Sequence, residues 1–282
     1  MRLDGPESQN VEDRRGQGFG GRGIAVGGGL GGVVVLLIAL LLGVDPGELL
    51  QGDPAPRQPG VQRQMTAEDD AARRFVAQVL GETEQVWNAE FARMGRRYEE
   101  PTLVLFSGAT QSGCGFAQAQ MGPFYCPNDR RVYIDLDFMA DLQRRLGAGG
   151  DFAAAYIVAH EVGHHVQNLF GVLSQANEAR RGRGEAAGNA LQVRIELQAD
   201  CLAGLWARRA HETRNILEKG DIEEGLNAAA AVGDDRLQRA SQGYVVPESF
   251  THGSSAQRVR WFRRGLETGR LEACDTFAGG AL

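Results

Sequence analysis

The sequence predicts an α+β domain, mainly helical, with a small antiparallel-type sheet and two central helices. Three observations carry this. An apolar, almost uncharged run at 152–170 surrounds His160-Glu161-Val162-Gly163-His164; a helix apolar nearly all round is a buried helix. A second helical pattern, resuming near Asn189, carries Glu196 and Asp200 four residues apart among Ile195, Leu197, Ala199 and Leu202. Two short β-prone runs, 102–106 and 131–136, alternate or cluster branched residues in the manner of strands.

Residues 1–23 are polar and Gly-rich, with arginines and acids in balance, and predict a tail that packs no core. The next 21 residues, 24–44, carry no charge, a length that suits one membrane-spanning helix of about 20 residues. Arg14, Arg15 and Arg22 precede this run, and Asp45 and Glu48 follow it. The positive-inside tendency then places the amino terminus in the cytoplasm and all that follows Val44 outside, in a single-pass topology. A cleaved signal peptide is the rival reading, disfavoured by the long preceding tail and the lack of a clear small-x-small site. Residues 45–65 hold Pro46, Pro54, Pro56 and Pro59 and read as a linker. Residues 66–282 suffice for one domain with a sizeable core. Since residues 1–23 balance, the net charge of −6 lies beyond them, which argues against nucleic acid as a partner.

Within the domain, Thr66 caps a helix to Met94 whose apolar residues recur at helical spacing, with Gly81 as a potential break. A helix is expected at 137–146 before the Gly-rich 147–150, and Asp151 as the cap of the next one. The charged stretch 174–188 reads as a solvated loop or lid. Asp221-Ile222-Glu223-Glu224 opens a helix to Val232, residues 244–247 look extended, and Ser254 or Ser255 caps a final helix with Val259, Trp261, Phe262 and Leu266. Cys114, Cys126, Cys201 and Cys274 are even in number, which suits disulfides outside the cytoplasm. Cys114 with Cys126 closes a short Gly-rich loop, leaving Cys201 with Cys274; cysteine as a zinc ligand is the weaker alternative, since no C-x-x-C exists.

His160 and His164 are one helical turn apart, about 40° around the axis, so two imidazoles share one face. Glu161 projects from the adjoining flank, where a base can reach a metal-activated water without ligating. The competing reading, histidines satisfied within a core, would bury His, Glu and His without partners, at a cost that a metal removes. A catalytic zinc commonly has three protein ligands and an open position. Glu196 is the third-ligand candidate, with Asp200 as the outer carboxylate that orients a ligand histidine; a solvated acidic face is the alternative. His165 points off the ligand face, His211 lies among charges at a helix end, and His252 lies in a loop, so these three compete less well. His252 and Tyr244 are candidate donors to an oxyanion, or else serve the fold.

Beyond these residues, Met121-Gly122-Pro123-Phe124-Tyr125-Cys126-Pro127, Val132-Tyr133-Ile134-Asp135-Leu136, Glu196-Leu197-Gln198-Ala199-Asp200-Cys201, Thr251-His252-Gly253-Ser254-Ser255-Ala256-Gln257-Arg258 and Cys274-Asp275-Thr276-Phe277 stand out. In these stretches and in His160-Glu161-Val162-Gly163-His164-His165 the chain resembles the bacterial neutral zinc metallopeptidases, membrane-anchored, gluzincin-like proteins. The resemblance implies a zincin-like domain with Zn2+ held by His160, His164 and Glu196, and Glu161 catalytic, acting on a peptide or protein substrate. Two other expectations stay open: a zinc-containing scaffold without turnover, and a zinc amidase acting on cell-wall peptides.

Overall fold

In a computed structural model of the chain, residues 1–16, 65–137, 139, 150–279 and 282 are described. The apolar run at 24–44, the linker up to residue 64 and nearly all of the helix expected at 137–146 lie outside the described residues. Among the described residues no helix is long and apolar enough to cross a membrane.

The first helix, α1 (Ala67–Arg93), begins where its capping box predicts: the Thr66 side chain accepts from the Asp69 N–H and the Asp69 carboxylate accepts from the Thr66 N–H. It runs through Gly81 without a break. The strands are β1 (Val11–Asp13), β2 (Thr102–Phe106), β3 (Ala109–Ser112), β4 (Gly115–Gln118), β5 (Phe124–Cys126) and β6 (Arg131–Asp135). One sheet has the order β1-β2-β6-β5, and β3 with β4 forms a separate hairpin. The two sequence-predicted strands pair in parallel, Leu103 opposite Val132 and Leu105 opposite Ile134, rather than antiparallel. The connection 107–130 is long enough for the crossover that parallel pairing needs, and within it β5 turns back at 127–130 to lie antiparallel on the other edge of β6. Cys114 bonds Cys126, tying the hairpin to β5, and Cys201 bonds Cys274.

Six further α-helices follow among the described residues: α2 (Asp151–Leu169), α3 (Val172–Arg180), α4 (Glu185–Arg214), α5 (Asp221–Ala231), α6 (Asp234–Gln242) and α7 (Ser255–Thr268). Two expectations change here. The stretch 174–188 is mostly helix, and α4 starts at Glu185, because Gln, Glu, Ala and Arg favour helix even without an apolar stripe. Asp151 is the first helical residue of α2, not its cap, which is Gly150. Ser254, not Ser255, caps α7, again with a capping box.

Residues 1–16, expected to pack no core, lie against the domain. β1 pairs in parallel with β2, and Met1, Leu3 and Val11 touch the main core. Three apolar residues are too few to leave a period in the sequence; main-chain pairing and ion pairs do the rest.

The core centres on α2, which packs on α1, α4 and α5. α4 and α7 cross with their backbones nearly touching: a Cβ at Gly265 would lie 1.9 Å from the Cys201 carbonyl oxygen, and one at Gly204 would lie 2.1 Å from that of Phe262. His165, fully buried, joins α2 to the sheet, with Nε2 on the Glu99 carbonyl at 2.6 Å and Nδ1 on the Tyr125 hydroxyl at 3.0 Å. Burial lowers its pKa to about 4, against the opposing bond to Glu99.

Two tests arise from this packing. Gly265→Ala forces α4 and α7 apart and is expected to lower stability by about 3 kcal/mol, the upper range for overpacking, read as a urea midpoint shift. His165 takes up its proton near pH 6.5 when unfolded and about 4 when folded. Its contribution is therefore complete above 6.5 and is lost as pH falls toward 4. The stability gap between the parent and His165→Gln is expected to narrow by about 3 kcal/mol across that interval; a constant gap would refute the assignment.

Candidate metal centre

Helix α2 places His160 and His164 one turn apart, with ring centroids 4.7 Å apart and planes nearly perpendicular. Helix α4 crosses beside them and aims Glu196 between the rings. Its Oε2 is 3.2 Å from His160 Nε2 and 3.6 Å from His164 Nε2, and the three ligand atoms all lie within 4.8 Å of one another. Zinc bonds of about 2.0–2.1 Å meeting at tetrahedral angles separate ligand atoms by about 3.3 Å. The two separations from Glu196 therefore match edges of a zinc tetrahedron, and two imidazoles with one carboxylate are a donor set zinc accepts. The residues fit the ion. His160 and Glu196 are buried, while His164 is half-buried toward the open side.

Each ligand is held by a second group. His160 Nδ1 is 2.9 Å from Asp200 Oδ1; a carboxylate only accepts, so Nδ1 carries a proton, which leaves Nε2, 3.2 Å from Glu196 Oε2, as the ring atom a metal would take. Asp200, fully buried, takes two bonds of 2.8 Å from Arg258 on α7, through Nε and Nη2, and a third from the Tyr156 hydroxyl. His164 Nδ1 donates to Gln167 Oε1 at 2.8 Å, and the Gln167 amide is fixed in turn by the Ile195 carbonyl at 2.8 Å and Gln198 at 2.9 Å. The second oxygen of Glu196, Oε1, accepts from Gln192 at 2.9 Å, and Gln192 accepts from Arg180 of α3 at 2.8 Å. Glu196 thus turns one oxygen to the rings and one to an amide.

The charges agree with this wiring. Burial works against a charged His160, but the bond and charge of Asp200, helped by Glu196, hold its pKa up at about 9. Burial likewise opposes ionised Glu196 and Asp200, yet both stay ionised below the usual carboxylate range, Glu196 because of His164 and His160, Asp200 because of Arg258 and His160. A metal arriving here displaces a proton from His160.

Glu161 is buried on the flank of the two histidines and has no hydrogen-bond or ion-pair partner among the described residues. His252 sits at the rim, its Nδ1 3.1 Å from Asp234 Oδ1, and close enough to Glu196 for the two charges to interact. Asp234, the first residue of α6, also accepts the backbone N–H groups of Thr251, His252 and Gly253, which fixes the loop. Asp234 and Glu196 raise the His252 pKa against its burial. Gly253, at φ +86°, seats this loop against Val193 and Leu197 on either side of Glu196. Tyr244 is 62% exposed and makes no contact with the trio. His165 serves the fold, and His211 accepts from the Leu217 N–H. All four cysteines are in disulfides, so none is a ligand.

Sequence reasoning missed Gln167, Gln192, Tyr156 and Arg258. Gln167 is three residues after His164, and Gln192 four before Glu196, so helical spacing carried a signal for both. Tyr156 stands four before His160 in the same way. Arg258, on another helix 58 residues from Asp200, left none.

A family model described as "Putative neutral zinc metallopeptidase" matches residues 1–277. Among curated proteins, the chain is 48% identical over 285 residues to the uncharacterized protein YpfJ of Escherichia coli K12, covering 98% of this chain and 99% of that one. It is 45% identical over 258 residues to the uncharacterized protein Rv2575 of Mycobacterium tuberculosis H37Rv, covering 86% of each. No solved structure matches. A family match of this extent makes the chain a member of the neutral zinc metallopeptidases, and zinc the metal for which its two histidines and glutamate are set.

Proposed function

We propose that the protein is a zinc-dependent endopeptidase that cleaves peptide bonds by general-base hydrolysis. The observation that carries this is Glu161: a buried carboxylate, next in sequence to a ligand histidine, engaged by no described residue. His160, His164 and Glu196 would hold the ion, which supplies Lewis acidity to polarise a carbonyl and acidify water. Glu161 takes the proton from the attacking water and returns it to the leaving nitrogen. His252, oriented through Nδ1 by Asp234, donates from its other nitrogen to the oxygen that gains negative charge. Asp200 holds the proton on His160 Nδ1, and Gln192 holds the Glu196 oxygen that is turned away from the rings. Strand β5 ends the sheet beside α2, joined to it by the Tyr125–His165 contact, and its outer edge suits an extended substrate that adds as a further strand.

The same proposal places the domain in an oxidising compartment, since all four cysteines pair.

Glu161→Gln is expected to bind zinc as the parent does while kcat on quenched-fluorescent peptides falls by about 10²–10⁴; unchanged turnover, or zinc lost in parallel, would refute the base assignment. His252→Ala is expected to lower kcat by about 10²–10³ with zinc content and KM nearly unchanged, and a variant that instead loses metal would make His252 part of the zinc site.

A further inference from the structure

The domain presents a surface shaped for one short segment, and the occupant is residues 1–16. β1 lies on the outer edge of β2, with Val11, Glu12 and Asp13 opposite Leu103, Val104 and Leu105. The ladder extends at both ends: Leu103 N–H reaches Asn10 O at 2.8 Å and Arg14 N–H reaches Leu105 O at 2.7 Å. Ahead of the strand, Ser8 N–H donates to the Ala77 carbonyl of α1 at 3.0 Å. The Ser8 hydroxyl and the Asn10 amide both bond Glu84, at 2.6 and 2.9 Å.

Helix α1 is modified to receive it. A Cβ at Gly81 would lie 2.8 Å from the Pro6 carbonyl oxygen, so the glycine that breaks no helix is where the segment crosses. The charges match too. Glu7 meets Arg73 at 2.7 Å, Glu12 meets Arg131 at 2.8 Å, and Arg15, 4% exposed, bonds Asp13 at 2.7 Å and the Asp69 carbonyl at 2.8 Å. The match to the family model also includes these residues.

We infer that residues 1–16 are an integral strand of the metal-binding domain and lie on the same side of any membrane as that domain. A single crossing between residues 16 and 65 would put a hydrocarbon layer of about 30 Å between β1 and β2, and hydrogen-bonded strands cannot be so parted. The arginine signal that sets the opposite expectation is already used: Arg14 pairs with Glu12 and Arg15 with Asp13, so two of the three arginines nearest the apolar run are neutralised within the domain. The inference rests on the strand pairing alone and stands or falls apart from the peptidase reading.

The test uses the full chain in the membranes of expressing cells. Glu7 and Arg73 are each about one-third exposed, and the native cysteines are all paired. In the double variant Glu7→Cys/Arg73→Cys, with a protease site inserted in the 45–65 linker, a short bismaleimide is expected to join the two positions. After proteolysis the amino-terminal fragment then stays with the domain as a monomer-sized band. In intact cells an impermeant maleimide is expected to treat the two single variants alike, both labelled or both protected. Labelling of one only in intact cells and of the other only after lysis would overturn the inference, as would release of the fragment. A cross-linked band of dimer size would give the strand to a second copy and overturn the intramolecular assignment.

Discussion

The structure depends on one buried anion. Asp200 is wholly shielded from water, and an isolated carboxylate there would be untenable. It persists because Arg258 grips both oxygens, Tyr156 donates a third bond and His160 a fourth. Removing one partner from such a pair leaves an uncompensated charge, at a cost of about 3–5 kcal/mol. The four groups come from α2, α4 and α7, so satisfying one charge fixes three helices. It also fixes the chemistry, because the proton that Asp200 holds on His160 Nδ1 is what frees Nε2 for the metal.

That anion can be reached only because the helices approach closely. Gly163, between the two ligand histidines, lets α2 settle on α4, where a Cβ would lie 3.0 Å from the Ala199 carbonyl oxygen. Gly204 and Gly265 do the same where α4 meets α7. The disulfide from Cys201 to Cys274 and the bonds from Arg194 and Gln198 to carbonyls of the carboxy-terminal segment hold the far side of α4. Glu196 is thus part of a helix that is fixed on several sides before a metal binds. Such preorganisation favours one tight geometry over a flexible chelate.

The sheet has two jobs at opposite edges. At one edge β5 reaches α2 through Tyr125 and His165, one residue beyond a candidate ligand, which ties the sheet to the helix that carries both histidines. At the other, β2 takes β1, and the amino-terminal residues become part of the fold.

The sequence by itself brought the candidate ligands together. His160, His164 and Glu196, with Asp200 behind them, were legible because helical periodicity converts a spacing of four residues into a shared face, and buried polar residues on such a face need a metal or a partner. The capping box at Thr66 and the Cys114–Cys126 bond across a short loop were legible for the same local reason, whereas Cys201 with Cys274 followed by elimination. Tertiary structure alone decided the partners that come from afar. Arg258 meets Asp200 across two helices, β2 and β6 run parallel through a long crossover, and residues 1–16 dock by backbone bonds and ion pairs. Backbone hydrogen bonds are open to any residue type, and contacts between distant segments have no period, so neither leaves a pattern along the chain.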